Sequence, residues 1–314
     1  MSRTRSCIEH DAQVLEKDDE SAMRRMTLEG DDTGKAVVRA IGRDERSGVL
    51  HPENLERYGA RWFEPDAAIR GVVEQYWHVR WRMDRGQSIT QRIITLPAVT
   101  LSIEDGDVPA PLVVTGVHRG AWMRQIAGSG SVLGIRLRPA GLAVLSDLAP
   151  ERIADATIPV VSTLDVKLHA LLSEIAAETS PESRIHVANE AIRARIAVRP
   201  MGSEQLLANA ILDELTSRIR SRTGSALAER LGVSERAIQR ALKGTLGQGP
   251  KWISRWIRLQ EVARALSSED HPDVATLAVD LGYADQAHLV NDFHNAVGIT
   301  PGAYLRSLHG LTAG

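Results

Sequence analysis

The hydrophobic pattern changes character at Pro139. Between residues 55 and 138, short runs rich in Val, Ile and Thr, such as QRIITLPAVTLSI and SVLGIRLR, alternate with the turn sequences EDGD, HRG and GSG. Short strands at this spacing predict a small β-barrel or sandwich. After Pro139 we expect the strands to stop, because apolar residues recur at three- and four-residue steps that predict helices. The stretch PDAAIRGVVEQYWHVRW mixes both patterns and fits a helix or a strand.

These changes divide the chain into four regions. Residues 1–50 are charged and nearly free of aromatic side chains, so we expect a disordered or loosely packed arm. Residues 51–160 are predicted to form a β-rich domain, residues 161–221 a helical linker, and residues 222–310 an all-α domain. One apolar stripe of the linker either packs within the monomer or forms a dimer seam. Its members are Leu164, Leu168, Leu171, Leu172 and Ile175.

Two C-terminal segments repeat one pattern. The first is ALAERLGVSERAIQRALKGTLGQGP, residues 226–250, and the second is TLAVDLGYADQAHLVNDFHNAVGITP, residues 276–301. Each carries an Ala four residues before a Gly, then an apolar residue, an apolar pair four residues apart, and a closing Gly-x-x-Pro. A small Ala lets two helices approach, and Gly adopts the left-handed conformation that ends the first helix. The repeat therefore predicts two helix-turn-helix units.

The second helix of each unit is predicted to begin after an N-capping residue, Ser234 in the first unit and Asp285 in the second. In the first unit, Ile238 and Leu242 turn the apolar stripe of this helix inward. The polar positions then face outward, where a major groove can receive them. They are Glu235, Arg236, Gln239, Arg240 and Lys243.

A single helix is predicted between the two units. The segment PKWISRWIRLQEVARALSS begins with Pro250 and repeats its apolar residues at helical spacing. Roughly 18 residues at about 1.5 Å each span about 27 Å, which is close to the roughly 34 Å between successive major-groove faces. A rod of this length would present two recognition helices to one side of a duplex. Its cations Lys251 and Arg255 face either phosphate or solvent.

Residues 222–306 resemble the DNA-binding region of AraC-family transcriptional regulators. The segment LGYADQAHLVNDFHNAVGITPGAY is similar to the signature of that family, from the Asp-Gln-x-His opening of the helix to the Gly-x-x-Pro exit. The resemblance implies a sequence-specific regulator that binds promoter DNA and has RNA polymerase as a partner. Whether it activates or represses transcription stays open, as does homodimer formation.

The β-rich region carries a resemblance of its own. Residues 55–160 resemble an N-terminal domain of many actinobacterial members of the family, through Tyr76, Trp77 and the motifs TGVHRG and GIRLRP. That resemblance implies a cupin-like sensor or dimerisation domain. The predicted fold class is therefore α+β, with a small N-terminal β-barrel or cupin-like domain, a helical linker and a C-terminal all-α domain.

The two halves of the helix-turn-helix region differ in charge. Residues 222–264 contain nine Lys and Arg against three Asp and Glu, whereas residues 265–305 contain no Lys or Arg and six Asp and Glu. Because cations attract phosphate, we expect an asymmetric grip in which the first unit dominates. The family resemblance implies a cation where Asn291 stands and another near His294. The second unit is expected to add polar contacts, with Gln and Asn suited to adenine edges. These residues are Gln286, His288 and Asn291.

Other classes of function find little support in the composition. The single Cys7 excludes an internal disulfide or a Cys-based metal site and favours a reducing cytoplasm. No signal peptide or membrane span is expected. The glycines between residues 116 and 134 form no phosphate-binding pattern, so we expect neither an enzyme nor a cofactor. Asp285, His288 and Asp292 share a helical face and fit either a metal site or an exposed local pair, and we expect no metal.

An alternative function and an effector pocket stay open. The acidic second unit also fits a helical interaction or scaffold protein that has lost DNA binding, and the salt dependence of binding would separate the two functions. A small-molecule effector is possible but its identity is not readable from the sequence. Its pocket could be lined by several aromatic and charged residues, although aromatic side chains more often belong to a core. They are Trp77, Trp81, Trp122, His118 and Arg136.

Overall fold

The computed structural model describes residues 48–217, 225–268 and 273–309. All of them belong to one compact unit of the chain. The arm predicted for residues 1–50 falls outside the described residues except at its end. There, Val49 forms a β-bridge with Ile93, and Leu50 is buried beside the C-terminal helices.

The strands of the N-terminal region form two antiparallel sheets. Their bounds are β1 Tyr58–Phe63, β2 Val73–Arg82, β3 Ser88–Ile93, β4 Thr100–Gly106, β5 Leu112–Thr115, β6 Trp122–Ala127, β7 Ser129–Leu137 and β8 Thr157–Pro159. The larger sheet has the order β1-β2-β7-β4-β5-β8, and β3 pairs with β6 separately. The mixed α+β class is confirmed. Within the described residues the larger sheet keeps two edges, β1 and β8, and does not close into a barrel.

The structure decides one open point of the strand pattern and overturns one expectation. The ambiguous stretch before the sheet divides into a short 3-10 helix, Ala67–Ile69, and strand β2. The expectation that strands stop at Pro139 is wrong, because β8 adds an edge strand that pairs with β5. Three residues are too few to show an alternating pattern, so only the pairing partner reveals this strand.

Four helices follow the main run of strands. They are α1 Gly141–Leu145, α2 Val166–Ala176, α3 Pro181–Val198 and α4 Ser203–Ser217. Helices α2 and α3 share a core with the face of the sheet that carries Leu133 and Ile135. The stripe of α2 is fully buried in this core at Leu168, Leu171 and Leu172. The dimer-seam interpretation of that stripe is therefore wrong, since its apolar side chains are already covered by the same chain.

The remaining helices form the C-terminal region. They are α5 Ser225–Leu231, α6 Glu235–Leu246, α7 Pro250–Ser268, α8 Val274–Asp280, α9 Gln286–Val297 and α10 Pro301–His309. Helices α5 and α6 share a hydrophobic core with α4, whereas α8, α9 and α10 pack on the other half of α7. The helices of the predicted linker therefore pack against two different parts of the fold. Helices α2 and α3 complete the core of the sheet, and α4 packs on the first helix-turn-helix unit.

Helix α7 and helix α9 also contact the β-rich region directly. The Trp256 indole donates a hydrogen bond to the Thr95 carbonyl at 2.6 Å. The Arg92 guanidinium donates to the Val297 carbonyl, at the end of α9, at 2.7 Å. Buried Leu50 and Ile94 join the apolar cluster of the second unit. Within the described ranges, no helix is both long and apolar enough to cross a membrane.

Candidate nucleic-acid interface

Both helix-turn-helix units have the turn geometry that the repeat predicts. Gly232 and Gly282 adopt left-handed φ angles of 64° and 74°, which Gly tolerates without strain. The Ser234 hydroxyl accepts a hydrogen bond from the Ala237 amide at 3.2 Å. The Asp285 carboxylate accepts one from the His288 amide at 2.7 Å. The N-caps predicted for α6 and α9 are confirmed, and each turn fixes the direction in which the second helix leaves.

Helix α6 presents a polar face to solvent. Ile238 and Leu242 are buried against α4 and α5. On the outer face, Arg236 and Gln239 are exposed and make no hydrogen bond or ion pair with the described residues. Glu235 and Lys243 are exposed as well. This outer face is long and basic enough to enter a major groove, as predicted for a recognition helix.

Arg240 lies on the same face but already has a partner. Its guanidinium forms an ion pair with Glu204, which belongs to α4. The Arg240 side chain is 62% exposed and that of Glu204 is 47% exposed. A second pair links α4 to the other helix of the first unit, because Arg230 of α5 contacts Glu214 of α4 at 2.5 Å. Helix α4 therefore places two carboxylates beside cations of the first unit.

The cations at the end of α6 and along α7 have different surroundings. Lys243 donates to the Gly247 carbonyl at 2.9 Å, where it caps the end of its own helix. Lys251 is exposed. Arg255 turns toward the second unit and donates to the Asp292 carboxylate at 2.6 Å. Of these three, only Lys251 makes no hydrogen bond or ion pair with the described residues.

The second recognition helix is neutral on its exposed face. Gln286, His288 and Asn291 are exposed on α9. The His288 ring lies edge-on to the Tyr283 ring, with the centroids 5.3 Å apart. Because no Lys or Arg stands on this helix, its outer face can offer hydrogen bonds to a groove but little attraction to phosphate.

The acidic residues of the second unit serve its internal structure. The Asp292 carboxylate accepts hydrogen bonds from Arg255 and from the Tyr283 hydroxyl, at 2.6 and 3.0 Å. Burial, followed by the Asp292 charge, raises the pKa of that hydroxyl. Asp285 caps α9 and Asp273 caps α8 through the Ala275 and Thr276 amides. Arg255 therefore balances the charge of Asp292, whereas Asp273 and Asp285 cap helix N-termini without a cation partner among the described residues.

The metal interpretation of Asp285, His288 and Asp292 loses its geometric basis. The two carboxylates are engaged in a helix cap and an ion pair, as described above. Across the described ranges, no three His, Cys, Asp or Glu side chains gather in a way that could hold a metal ion.

The comparisons with known proteins agree with this geometry. Residues 227–307 match a family model described as a helix-turn-helix domain. A curated Streptomyces lividans protein, described as an AraC-like transcription regulator, is 35% identical over 86 residues, which are 27% of this chain and 28% of that protein. The chain carries an AraC-family helix-turn-helix domain. The AraC-family domain comprises both bihelical units and the helix α7 that joins them. The match thus spans little more than a quarter of the relative's length.

The N-terminal region and the whole chain have matches of their own. Residues 61–159 match a family model described as a domain of unknown function, DUF6597. Among solved structures, ToxT from Vibrio cholerae O395 is 11% identical and aligns over 81% of this chain and 99% of its own, with a TM-score of 0.40. Wild-type ToxT from strain SCE256 with bound unsaturated fatty acid is 10% identical over 81% of this chain and 96% of its own, with a TM-score of 0.39.

Two contacts of the AraC-family domain were not predicted from the sequence. The pair Arg240–Glu204 joins residues 36 positions apart, and the bond from Arg92 to the end of α9 spans 205 positions. Neither has a local signal, because each depends on how separate elements pack. The pair Arg255–Asp292 had a weak signal in the sequence, because residues 222–264 have an excess of Lys and Arg and residues 265–305 carry only acidic charges.

Proposed function

We propose that this protein is a sequence-specific, DNA-binding transcription regulator in which the first helix-turn-helix unit dominates binding to DNA. The observation that carries the proposal is the exposed outer face of α6. Arg236, Gln239 and Arg240 lie there on the second helix of a capped bihelical unit. Arg suits guanine and Gln suits adenine at the major-groove edge. The AraC-family assignment of the domain supports the same function.

The second unit would occupy the next major groove. Helix α7 has 19 residues, which corresponds to a length of about 28 Å at 1.5 Å per residue. This length is compatible with the roughly 34 Å between successive groove faces on one side of a duplex. The neutral outer face of α9 favours a subordinate role, in which Gln286 or Asn291 contacts base edges and phosphate attraction comes from Lys251 and the first unit.

Several partners are proposals that follow from this function. A regulator of promoter DNA works with RNA polymerase, and the exposed part of the second unit is the surface that DNA occupies least in this account. The buried stripe of α2 is unavailable to a second chain, so a homodimer would need another surface. A cytoplasmic location follows from the need to reach the chromosome.

The proposal is tested by selection of bound fragments from a genomic library by the purified full-length protein. We expect recovery of a shared sequence and binding that weakens steeply as salt rises, because bound phosphates release counterions. Recovery of random fragments, or no binding even in dilute buffer, would contradict it. The second outcome would favour the alternative of a helical scaffold that has lost DNA binding.

A further inference from the structure

A cavity of about 720 Å³ lies on the face of the large sheet opposite its core. Successive strand residues point to opposite faces, and in β7 Leu133, Ile135 and Leu137 enter the core with α2 and α3. Val132 and Arg136 have the opposite parity in the same strand, and they line the cavity. Volumes of this size are typical of sites for small organic ligands.

The walls of the cavity come from several parts of the fold, among them both sheets, α4 and α7. The large sheet supplies Trp62 and Trp77, the two-stranded ladder supplies Trp122, and helix α7 supplies Ile257 and Gln260. Three indoles beside this cavity offer flat apolar surfaces, which favour a ligand with a planar apolar body. The contact with α7 places such a ligand against the helix that joins the two helix-turn-helix units.

Most of the charge that lines the cavity is already paired. The Arg124 guanidinium donates two hydrogen bonds to the Glu104 carboxylate, both at 2.7 Å, and the Glu104 side chain is only 4% exposed. On α7, Arg264 donates to Glu261 at 2.7 Å. Within each of these two pairs the cation balances the anion, so neither adds net charge to the wall.

Arg136 and Glu74 are the two charged residues of the wall without an ion pair among the described residues. Among the described residues, no carboxylate lies within ion-pair distance of the Arg136 guanidinium, which stacks over the Trp77 ring at 5.2 Å and donates to the Gln75 side chain at 3.3 Å. Burial lowers the pKa of this guanidinium, and the nearby charge of Glu74 opposes that effect. A half-buried cation without an ion-pair partner loses part of its hydration, and a planar guanidinium is suited to bind a carboxylate with two hydrogen bonds.

Gln260 adds a second unmet polar group. Its side-chain oxygen is buried and accepts no hydrogen bond from the described residues. It lines the cavity from α7, across from the sheet. A buried amide without a partner costs free energy, so a ligand that offers it a hydrogen bond gains affinity.

We propose that the cavity binds a small organic carboxylate with a flat apolar body, held by Arg136 at the carboxylate and by Trp62, Trp77 and Trp122 along the body. The ligand bridges the β-rich region and α7. Its effect on DNA affinity rests on the proposed function, whereas the binding site itself does not.

The test is calorimetric titration of the full-length protein without DNA. The probes are benzoate, trans-cinnamate and indole-3-acetate, each compared with its neutral amide. We expect at least one acid to bind, and its amide to bind at least tenfold more weakly, because only the acid gives Arg136 an anionic partner. Equal binding of acid and amide, or no binding of any acid, would overturn the proposal.

Substitutions test whether Arg136 causes the preference for the acid over its amide. Arg136→Gln is expected to lower the affinity for the bound acid at least tenfold and to change that for its amide little. Arg136→Lys is expected to fall between, because Lys keeps the charge and loses the bidentate geometry. Arg80→Gln is the matched control, an exposed arginine on β2 outside the cavity wall.

The outcomes separate this inference from the proposed function. An unchanged acid preference in Arg136→Gln contradicts the assignment. If that variant fails to fold, the acid and amide comparison on the unmodified protein still decides. Normal DNA binding without acid binding overturns only this inference, and acid binding without DNA binding overturns only the proposed function.

Discussion

At the scale of single residues, Arg240 has one partner in the structure and a second in the proposed complex with DNA. Its guanidinium contacts Glu204 in the protein alone, and the same face of α6 is the one proposed to meet DNA. An exposed pair of this kind is worth up to about 1 kcal/mol. In the proposed complex DNA binding would break this pair, so Glu204 would compete weakly with the duplex for Arg240.

Replacement of Glu204 by Gln is therefore expected to strengthen DNA binding. We expect up to about a fivefold lower Kd at low salt, which corresponds to the free energy of one exposed pair, and a smaller effect as salt screens the charges. Fluorescence anisotropy on a selected duplex measures this change. Glu190→Gln, an exposed acid on α3, controls for net charge. Equal gains in both variants would show a general charge effect.

Arg240 itself is expected to read a base. Arg240→Ala should weaken specific binding by about 1–3 kcal/mol and relax the preference at one base position, since a bidentate contact to guanine is worth that much. Selection of duplexes with the variant, beside the unmodified protein, gives the preference at each position. An unchanged preference at every position would contradict the assigned register of α6.

At the scale of elements, the turn glycine of the second unit is set by its backbone. Gly282 has a φ of 74°, and a Cβ added there would meet nothing within 4 Å. We expect Gly282→Ala to lower the free energy of unfolding by about 1 kcal/mol, from the left-handed backbone alone. Thermal or urea unfolding measures it.

Gly244 provides the matched control for that substitution. It lies inside α6 with no positive φ and with equally open space around its Cα. Gly244→Ala should raise the free energy of unfolding by about 0.5–1 kcal/mol, because Ala favours the helix interior. If both variants shifted stability in the same direction, the backbone explanation would fail.

The outer face of α9 lacks a cation that the first recognition helix has. Asn291 is exposed there. Asn291→Arg is expected to strengthen binding to DNA of any sequence. It should also steepen the slope of log Kd against log salt concentration by about the amount that one phosphate contact contributes. Anisotropy on a random duplex over a range of salt concentrations checks it. No change in either quantity would place α9 away from the groove.

At the scale of the whole molecule, the sequence predicted local structure well and long-range packing poorly. The glycines, caps and apolar pairs of the two units follow from neighbours within a few residues, so Ser234 and Asp285 could be assigned in advance. The cavity around Arg136 could not, because it depends on the pairing of β2 with β7 and on the position of α7. Of the five residues named for a pocket, Trp77, Trp122 and Arg136 line it.

The other two residues have structural positions instead. Trp81 is buried and its indole donates to the Ala127 carbonyl at 3.0 Å. His118 lies outside the cavity wall, and burial lowers the pKa of its ring. An aromatic side chain in a strand reads the same in sequence whether it points into the core or into a cavity, since a shift of one residue exchanges the two faces.

The central claim is that the first helix-turn-helix unit dominates binding to DNA. The most direct measurement compares the Kd of two double variants for one selected duplex, Arg236→Ala with Arg240→Ala and Gln286→Ala with Asn291→Ala, beside the exposed control Arg82→Ala on β2. At about 1–3 kcal/mol for each base contact, we expect the first-unit variant to lose at least about thirtyfold in affinity. We expect the second-unit variant to lose clearly less and the control nothing. An equal or larger loss in the second-unit variant would contradict the account.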